Sequence, residues 1–191
     1  MHYEPARESS GFPHSPFTSC CVPRPIGWIS TVSARGVRNI APFSQFQNVT
    51  WDPPTVLFCS CGTPQTDTYV NAVETGEFVW NMATYELRET VARTATPYPP
   101  HVDEFDELGI ETAPSLRVKP PRVAASPVHF ECAVKQVVDI PITARSATED
   151  LRSDPRFAHY RHEIWTLLRD EVTKARSEEL GLGEKKETAR V

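Results

Sequence analysis

Over the first two thirds of the chain, apolar residues come in short runs that end at proline, glycine or acidic residues. Ile26 to Val32 is rich in branched and aromatic residues, Ala34-Arg35-Gly36 follows as a turn, and Val37 to Ala41 returns as a second strand. Thr55 to Cys59, entered through Asp52-Pro53-Pro54, has the continuous apolar character of a buried strand, and Glu77 to Met82 is another, opened by Gly76. From Val128 to Lys135, the residues Val128, Phe130, Cys132 and Val134 share one face, which predicts a strand with one wall on the core. Helices are short. Thr66 or Asp67 caps one running through Tyr69, Val70 and Val73 to Gly76. Thr84 caps a second over Glu86 to about Thr94, and Asp103 to Leu108 makes one acidic turn. Many short strands with few helices predict a small barrel.

The pattern changes near residue 142. Up to that point 25 of 142 residues are charged and 17 of the 18 prolines occur; beyond it 20 of 49 are charged and only Pro155 remains. Residues 1–142 and 143–191 therefore read as two segments. Asp154-Pro155 opens a helix over about 155–180, with Phe157, Tyr160, Ile164, Leu168, Val172 and Ala175 at spacings of three and four and Gly181 as its end. Such a stripe packs on its own domain or on a second copy. Residues 184–191 read as a frayed tail.

Composition narrows the class. With 191 residues, 39% hydrophobic and 24% charged, the chain reads as one soluble globular domain with or without an appendage. Its 18 prolines are about twice the usual ~5%, which disfavours a helical bundle. A net charge of −5 argues against a binder that neutralises nucleic-acid phosphates. No apolar run nears the ~20 residues of a membrane span, so no membrane partner is expected. The start lacks a basic patch before an apolar stretch, and five cysteines without a secretory signal fit free thiols in a reducing, cytoplasmic setting.

Phosphate-loop, Rossmann, nucleophile-elbow and H-E-x-x-H patterns are all missing from the sequence. Cys59-x-Cys61 has the alternation of one strand face rather than zinc-ligand spacing. His159 and His162 beside Glu163 have metal-ligand character, but a solvated helix face explains them more simply. Asp103, Glu104, Asp106 and Glu107 form an acidic cluster that reads as a solvated loop. More distinctive are polar residues at element ends: Ser30 and Thr31, Asn39 and Ser44, Ser60, and Thr66-Asp67-Thr68. They either cap backbone groups or surround a phosphate-bearing ligand at a helix start, and both readings stay open.

Seven segments in order carry a resemblance. Val22-Pro23-Arg24-Pro25-Ile26-Gly27-Trp28-Ile29-Ser30-Thr31 is followed by Asn39-Ile40-Ala41-Pro42-Phe43-Ser44, Asp52-Pro53-Pro54-Thr55-Val56 and Thr66-Asp67-Thr68-Tyr69-Val70-Asn71. Then come Glu74-Thr75-Gly76-Glu77-Phe78-Val79-Trp80-Asn81, Val102-Asp103-Glu104-Phe105 and Lys119-Pro120-Pro121-Arg122-Val123. Together they resemble the flavin reductase-like family of split-barrel proteins that bind flavin mononucleotide (FMN), from about residue 11 to 140. The resemblance implies a mainly β, Greek-key split β-barrel with short peripheral helices, the long C-terminal helix lying outside the family pattern. It implies a homodimer with FMN at the interface and NADH or NADPH as hydride donor to the flavin, which passes electrons to free flavin or a small-molecule acceptor. It places Ser30 and Thr31 near the isoalloxazine ring and Asn39, Ala41, Pro42, Phe43 and Ser44 along it. Ser60, Thr66, Asp67, Thr68 and Asn71 fall around the ribityl chain or phosphate. No catalytic acid or base and no metal ligand is assigned. Two departures stand out. Thr66 replaces the family's basic residue, and the closing strands expected after Ile140-Pro141 give way to the charged helix. Two alternatives accompany the reductase reading: an FMN-binding electron-transfer module without its own NAD(P)H site, and a non-enzymatic barrel associating through Phe157, Ile164 and Leu168.

Overall fold

The computed structural model describes residues 11, 16–60, 65–138, 158–166, 169–170 and 173. In chain order the elements are α1 (Pro16–Cys20), β1 (Gly27–Val32), β2 (Arg38–Phe43), β3 (Phe46–Trp51), β4 (Pro54–Phe58), α2 (Asp67–Thr75), β5 (Glu77–Asn81), α3 (Arg88–Arg93), α4 (Glu104–Leu108), β6 (Thr112–Ala113), β7 (Arg122–Val123) and β8 (His129–Ala133). The architecture is mainly β with few helices. The strands form one four-stranded sheet in the order β2-β1-β5-β8 and two ribbons, β3-β4 and β6-β7. The chain divides into two units. One, Pro23–Gln47 with Leu57–Val137, holds the four-stranded sheet; the other comprises Met1–Val22, Asn48–Val56 and Val138–Val191.

The β1–β2 hairpin forms where the sequence turns at Ala34-Arg35-Gly36. Gly36 takes φ +86°, a conformation that side chains disfavour, and its N–H donates to the Ser33 carbonyl at 2.9 Å. The register pairs Ser30 with Ile40 and Thr31 with Asn39. Strand β5 joins the other side of β1, with Trp28 opposite Asn81. Alternation therefore gives the sheet two faces. On one, Trp28 and Ile40 pack with Phe105, Ile110 and Val123, flanked by Ala83, Leu87, Val91 and Leu108. A large apolar side chain buried this fully contributes roughly 1.5–3 kcal/mol. Trp28 also donates its indole N–H to Thr94 Oγ1 at 3.0 Å inside this core. The other face carries an aromatic run: Phe46 stacks on Trp80 at 5.6 Å, Phe58 meets Phe43 at 5.1 Å and Phe78 at 5.3 Å, and Phe130 lies 4.4 Å from Trp80. Gly27 makes room for Phe46, whose Cδ2 sits 2.8 Å from where a Cβ would be.

Strand β2 borders the sheet, and its outward backbone groups are dealt with individually. The Ile40 N–H donates to Glu104 Oε2 at 2.8 Å. Two residues on, at the same outward parity, Pro42 has no N–H to satisfy.

The strands expected near residues 26–32, 37–41, 55–59, 77–82 and 128–135 all form, each shifted by a residue or two. Two expectations need correction, and one strand falls outside the pattern. Thr84 does not cap α3, which begins after Leu87 without a side-chain cap. The supposed core wall of β8 is only half inside, since Val128 and Phe130 stay 38% and 40% exposed on the outermost strand. The apolar pattern does not predict strand β3. The C-terminal segment is helical over residues 158–166; Pro155, Phe157, Leu168, Val172, Ala175, Gly181 and the tail at 184–191 lie outside the described residues. Among the described residues no helix is long and apolar enough to cross a membrane.

Candidate functional site

Helix α2 is set down on the sheet by polar contacts. Thr66 caps it, accepting the Tyr69 N–H at 3.3 Å, and Gly76 ends it at φ +72° with its N–H on the Ala72 carbonyl. Its inner side presents Thr68 and Asn71 to β1 and β2. The Asn71 amide donates to Thr31 Oγ1 at 3.1 Å, and the Asn39 amide lies 2.8 Å from Thr68 Oγ1 and 3.4 Å from Thr31 Oγ1. All four residues are at most 5% exposed. Ser30, fully buried on the opposite face, donates to the Pro121 carbonyl at 2.6 Å.

The expected site residues therefore fall into two groups. Ser30, Thr31, Asn39, Thr68 and Asn71 point their polar atoms at other protein groups and form an internal frame. Ala41, Pro42, Ser44, Ser60, Thr66 and Asp67 are half-buried and leave surface for a ligand. Phe43 is buried in the aromatic run. Ser60 and Thr66 come together at the start of α2, their hydroxyl oxygens 2.7 Å apart. The N-terminal turn of α2 adds backbone N–H groups that favour an anion. Burial pushes the Asp67 carboxyl above its ordinary range. Beside α2 lies a depression of about 310 Å³ lined by Ser33, Arg35, Asp67, Asn71 and Glu74 among others.

Two buried residues were not singled out from sequence. Asn81 is fully buried, accepting the Val123 N–H at 2.8 Å and donating to the Trp28 carbonyl and Ser30 Oγ at 3.2 Å each. The second is Glu104. The acidic cluster is not simply solvated: Asp103 caps α4 and, with Asp106, holds Arg38 at 2.6 Å, while Glu104 is 6% exposed. Burial raises its carboxyl to about 7, helped by the charges of Asp67 and Asp103 and opposed by the Ile40 N–H. Both residues lie in segments that carry the family resemblance, Asn81 at the end of Glu74–Asn81 and Glu104 inside Val102–Phe105.

His159 and His162 are exposed; His159 lies 3.9 Å from Glu163, and His162 3.5 Å from Thr166. Among the described residues, no three His, Cys, Asp or Glu side chains are placed to hold a metal ion.

Comparison with known proteins places this arrangement. An uncharacterized protein of Aquifex aeolicus (strain VF5) is 43% identical over 123 residues, covering 62% of this chain and 62% of its own length. The chain thus spans about three fifths of that relative. Among solved structures, nitrilotriacetate monooxygenase component B from Bacillus cereus is 25% identical with a TM-score of 0.65, over 71% of this chain and 68% of that one. A protein with a split barrel domain from Shewanella frigidimarina NCIMB 400 shares the fold at 19% identity and a TM-score of 0.54, over 58% and 55% of the two chains. The model of the flavin reductase like domain matches residues 18–160, so it takes in the sheet, the frame beneath α2 and the acidic turn of α4 together. The chain belongs to the flavin reductase-like family.

Proposed function

We propose that this protein is a flavin reductase-type oxidoreductase that binds FMN along the second half of β2 and at the start of α2. The observation that carries this reading is the Ser60–Thr66 hydroxyl pair at the first turn of a nine-residue helix, next to the half-exposed Ala41–Ser44 strand end. The donor chemistry fits FMN. Hydroxyls and helix N–H groups suit a ribityl chain and a phosphate, and a strand edge of small and apolar side chains suits one side of a planar ring. FMN, when bound, supplies the redox chemistry, taking a hydride from NADH or NADPH and delivering electrons to a small-molecule or flavin acceptor. The chain's part is to place and shield. The Ser60–Thr66 pair, whose mutual bond uses one of its two hydroxyl hydrogens, offers the other to the ligand's polar tail. Ala41, Pro42 and Ser44 border the ring. Asn39, Thr31, Thr68 and Asn71 hold β2 and α2 in fixed relation from beneath. No side chain is assigned a proton transfer. In this reading the sheets close as a Greek-key split barrel, two copies pair with the flavin at their interface, and the helix beyond residue 155 follows the barrel.

The test is the visible spectrum of the purified protein, before and after FMN, followed by anaerobic NADH and NADPH. A bound-flavin spectrum bleached faster than free FMN is expected. A bound spectrum that does not bleach would replace the reductase with an electron carrier, and no binding at excess FMN would reject both.

A further inference from the structure

The depression beside α2 has two walls of unlike chemistry. One is a stripe of the helix, where Asp67, Val70, Asn71 and Glu74 stand three and four residues apart and so share a side. Seven residues at the helical rise set the two carboxylates about 10 Å apart along it. The other wall is the β1–β2 turn, which brings Ala34 and Arg35, and Pro100 completes the lining. The chain leaves these charges uncommitted. Among the described residues, the side chains of Arg35, Asp67 and Glu74 take part in no hydrogen bond or ion pair, whereas Arg38 nearby in sequence is held by Asp103 and Asp106. Asn71, also in the lining, is only 5% exposed. Its amide nitrogen donates to Thr31 Oγ1 at 3.1 Å, while its Oδ1 receives no donor from the described residues. A buried acceptor in that position is costly unless a ligand or a water supplies the donor.

We propose that this depression binds a small aliphatic zwitterion of the free amino-acid class. The ammonium group has three N–H bonds to give and serves Asn71 Oδ1 and the carboxylates of α2. The ligand's carboxylate pairs with Arg35 on the opposite wall, and its aliphatic part rests on Ala34, Val70 and Pro100.

Charge and size select this class. One guanidinium against two carboxylates disfavours a simple anion such as a phosphate, and the guanidinium disfavours a plain cation. A molecule carrying both charges satisfies both walls. The volume of about 310 Å³ equals that of about ten liquid waters, which is room for a free amino acid and too little for a dinucleotide. The depression uses neither Ser60 nor Thr66, so the inference stands apart from the FMN reading.

The experiment titrates the full chain with L-leucine and follows the Asn71 side-chain amide and the backbone amides of Arg35, Val70 and Glu74 by 15N NMR. Isoamylamine, which is leucine without its carboxylate, and 4-methylpentanoate, which is leucine without its ammonium, serve as single-charge controls. L-leucine is expected to shift all four signals along one saturable curve, with a dissociation constant of about 1 mM, as suits an open and partly exposed site. Each control is expected to bind at least about fivefold more weakly, the worth of one exposed ion pair. Arg35→Gln is expected to bring leucine down to the level of the amine, and Glu74→Gln to weaken leucine and amine alike. Both positions are exposed, so both variants fold. No saturation by tens of millimolar leucine would overturn the site and leave water as the partner of Asn71. An amine or an acid that binds as tightly as leucine would overturn the zwitterion assignment. Leucine binding untouched by both substitutions would place it elsewhere on the chain and overturn the proposal.

Discussion

Asn81→Ala isolates what the internal frame contributes. Asn81 joins three strands: its oxygen takes the Val123 N–H of β7, and its amide serves the Trp28 carbonyl and Ser30 Oγ of β1. Alanine leaves the Val123 N–H without that acceptor in a fully buried place, at roughly 1–3 kcal/mol. Two further bonds at about 1 kcal/mol each bring the expected loss to roughly 3–5 kcal/mol. Urea denaturation followed by circular dichroism reads this directly, and a chain of this size should melt about 10 °C lower. Asn81→Asp separates the components. It keeps the acceptor for Val123, loses both donors and buries a carboxylate, so its deficit should grow with rising pH as that carboxylate is forced to ionise. FMN affinity of the folded Ala variant should stay near wild type if Asn81 is framework. A stability loss below about 1 kcal/mol would refute the view that this residue ties the strands together.

Other perturbations probe separate parts. Gly27→Ala pushes a methyl into the Phe46 ring, 2.8 Å from Cδ2, and should cost about 1–3 kcal/mol in denaturation while leaving the Trp28–Thr94 core intact. Thr66→Lys restores a cation at the start of α2, so FMN should bind about tenfold to a hundredfold tighter by fluorescence titration, while loss of the cap lowers stability by about 1 kcal/mol. Glu104 links folding to pH. Its carboxyl rises from 4.5 to about 7 on folding, so the folded chain holds a proton that the unfolded chain has lost in between. Wild-type stability should therefore fall as pH rises from ~4.5 to ~7 and level off above, a drop of roughly 3 kcal/mol that Glu104→Gln abolishes in denaturation series.

Several strands were legible because their chemistry repeats at the right period. Ile26–Val32 and Val128–Lys135 could be read as strands from residue type alone. Strand β3 could not, because Gln47, Asn48 and Thr50 break its apolar alternation, and the two-residue strands β6 and β7 carry no period at all. The site was legible as a set of residues but not as a set of directions. A hydroxyl at a strand end is framework or ligand contact according to the face it takes, and Thr31 and Thr68 turn inward while Ser60 and Thr66 stay at the surface. Glu104 was hidden by its neighbours: in the run Asp103 to Glu107, every acid looks alike until one is buried under β2.

The treatment of β2 has a consequence for self-association. A border strand normally offers a row of open amides on which another chain can template itself. Here a carboxylate occupies the amide of Ile40, and a proline removes the next outward one at position 42. Two of the outward N–H positions of β2 are thereby closed to an incoming strand, which weakens this side as a template for strand-by-strand growth.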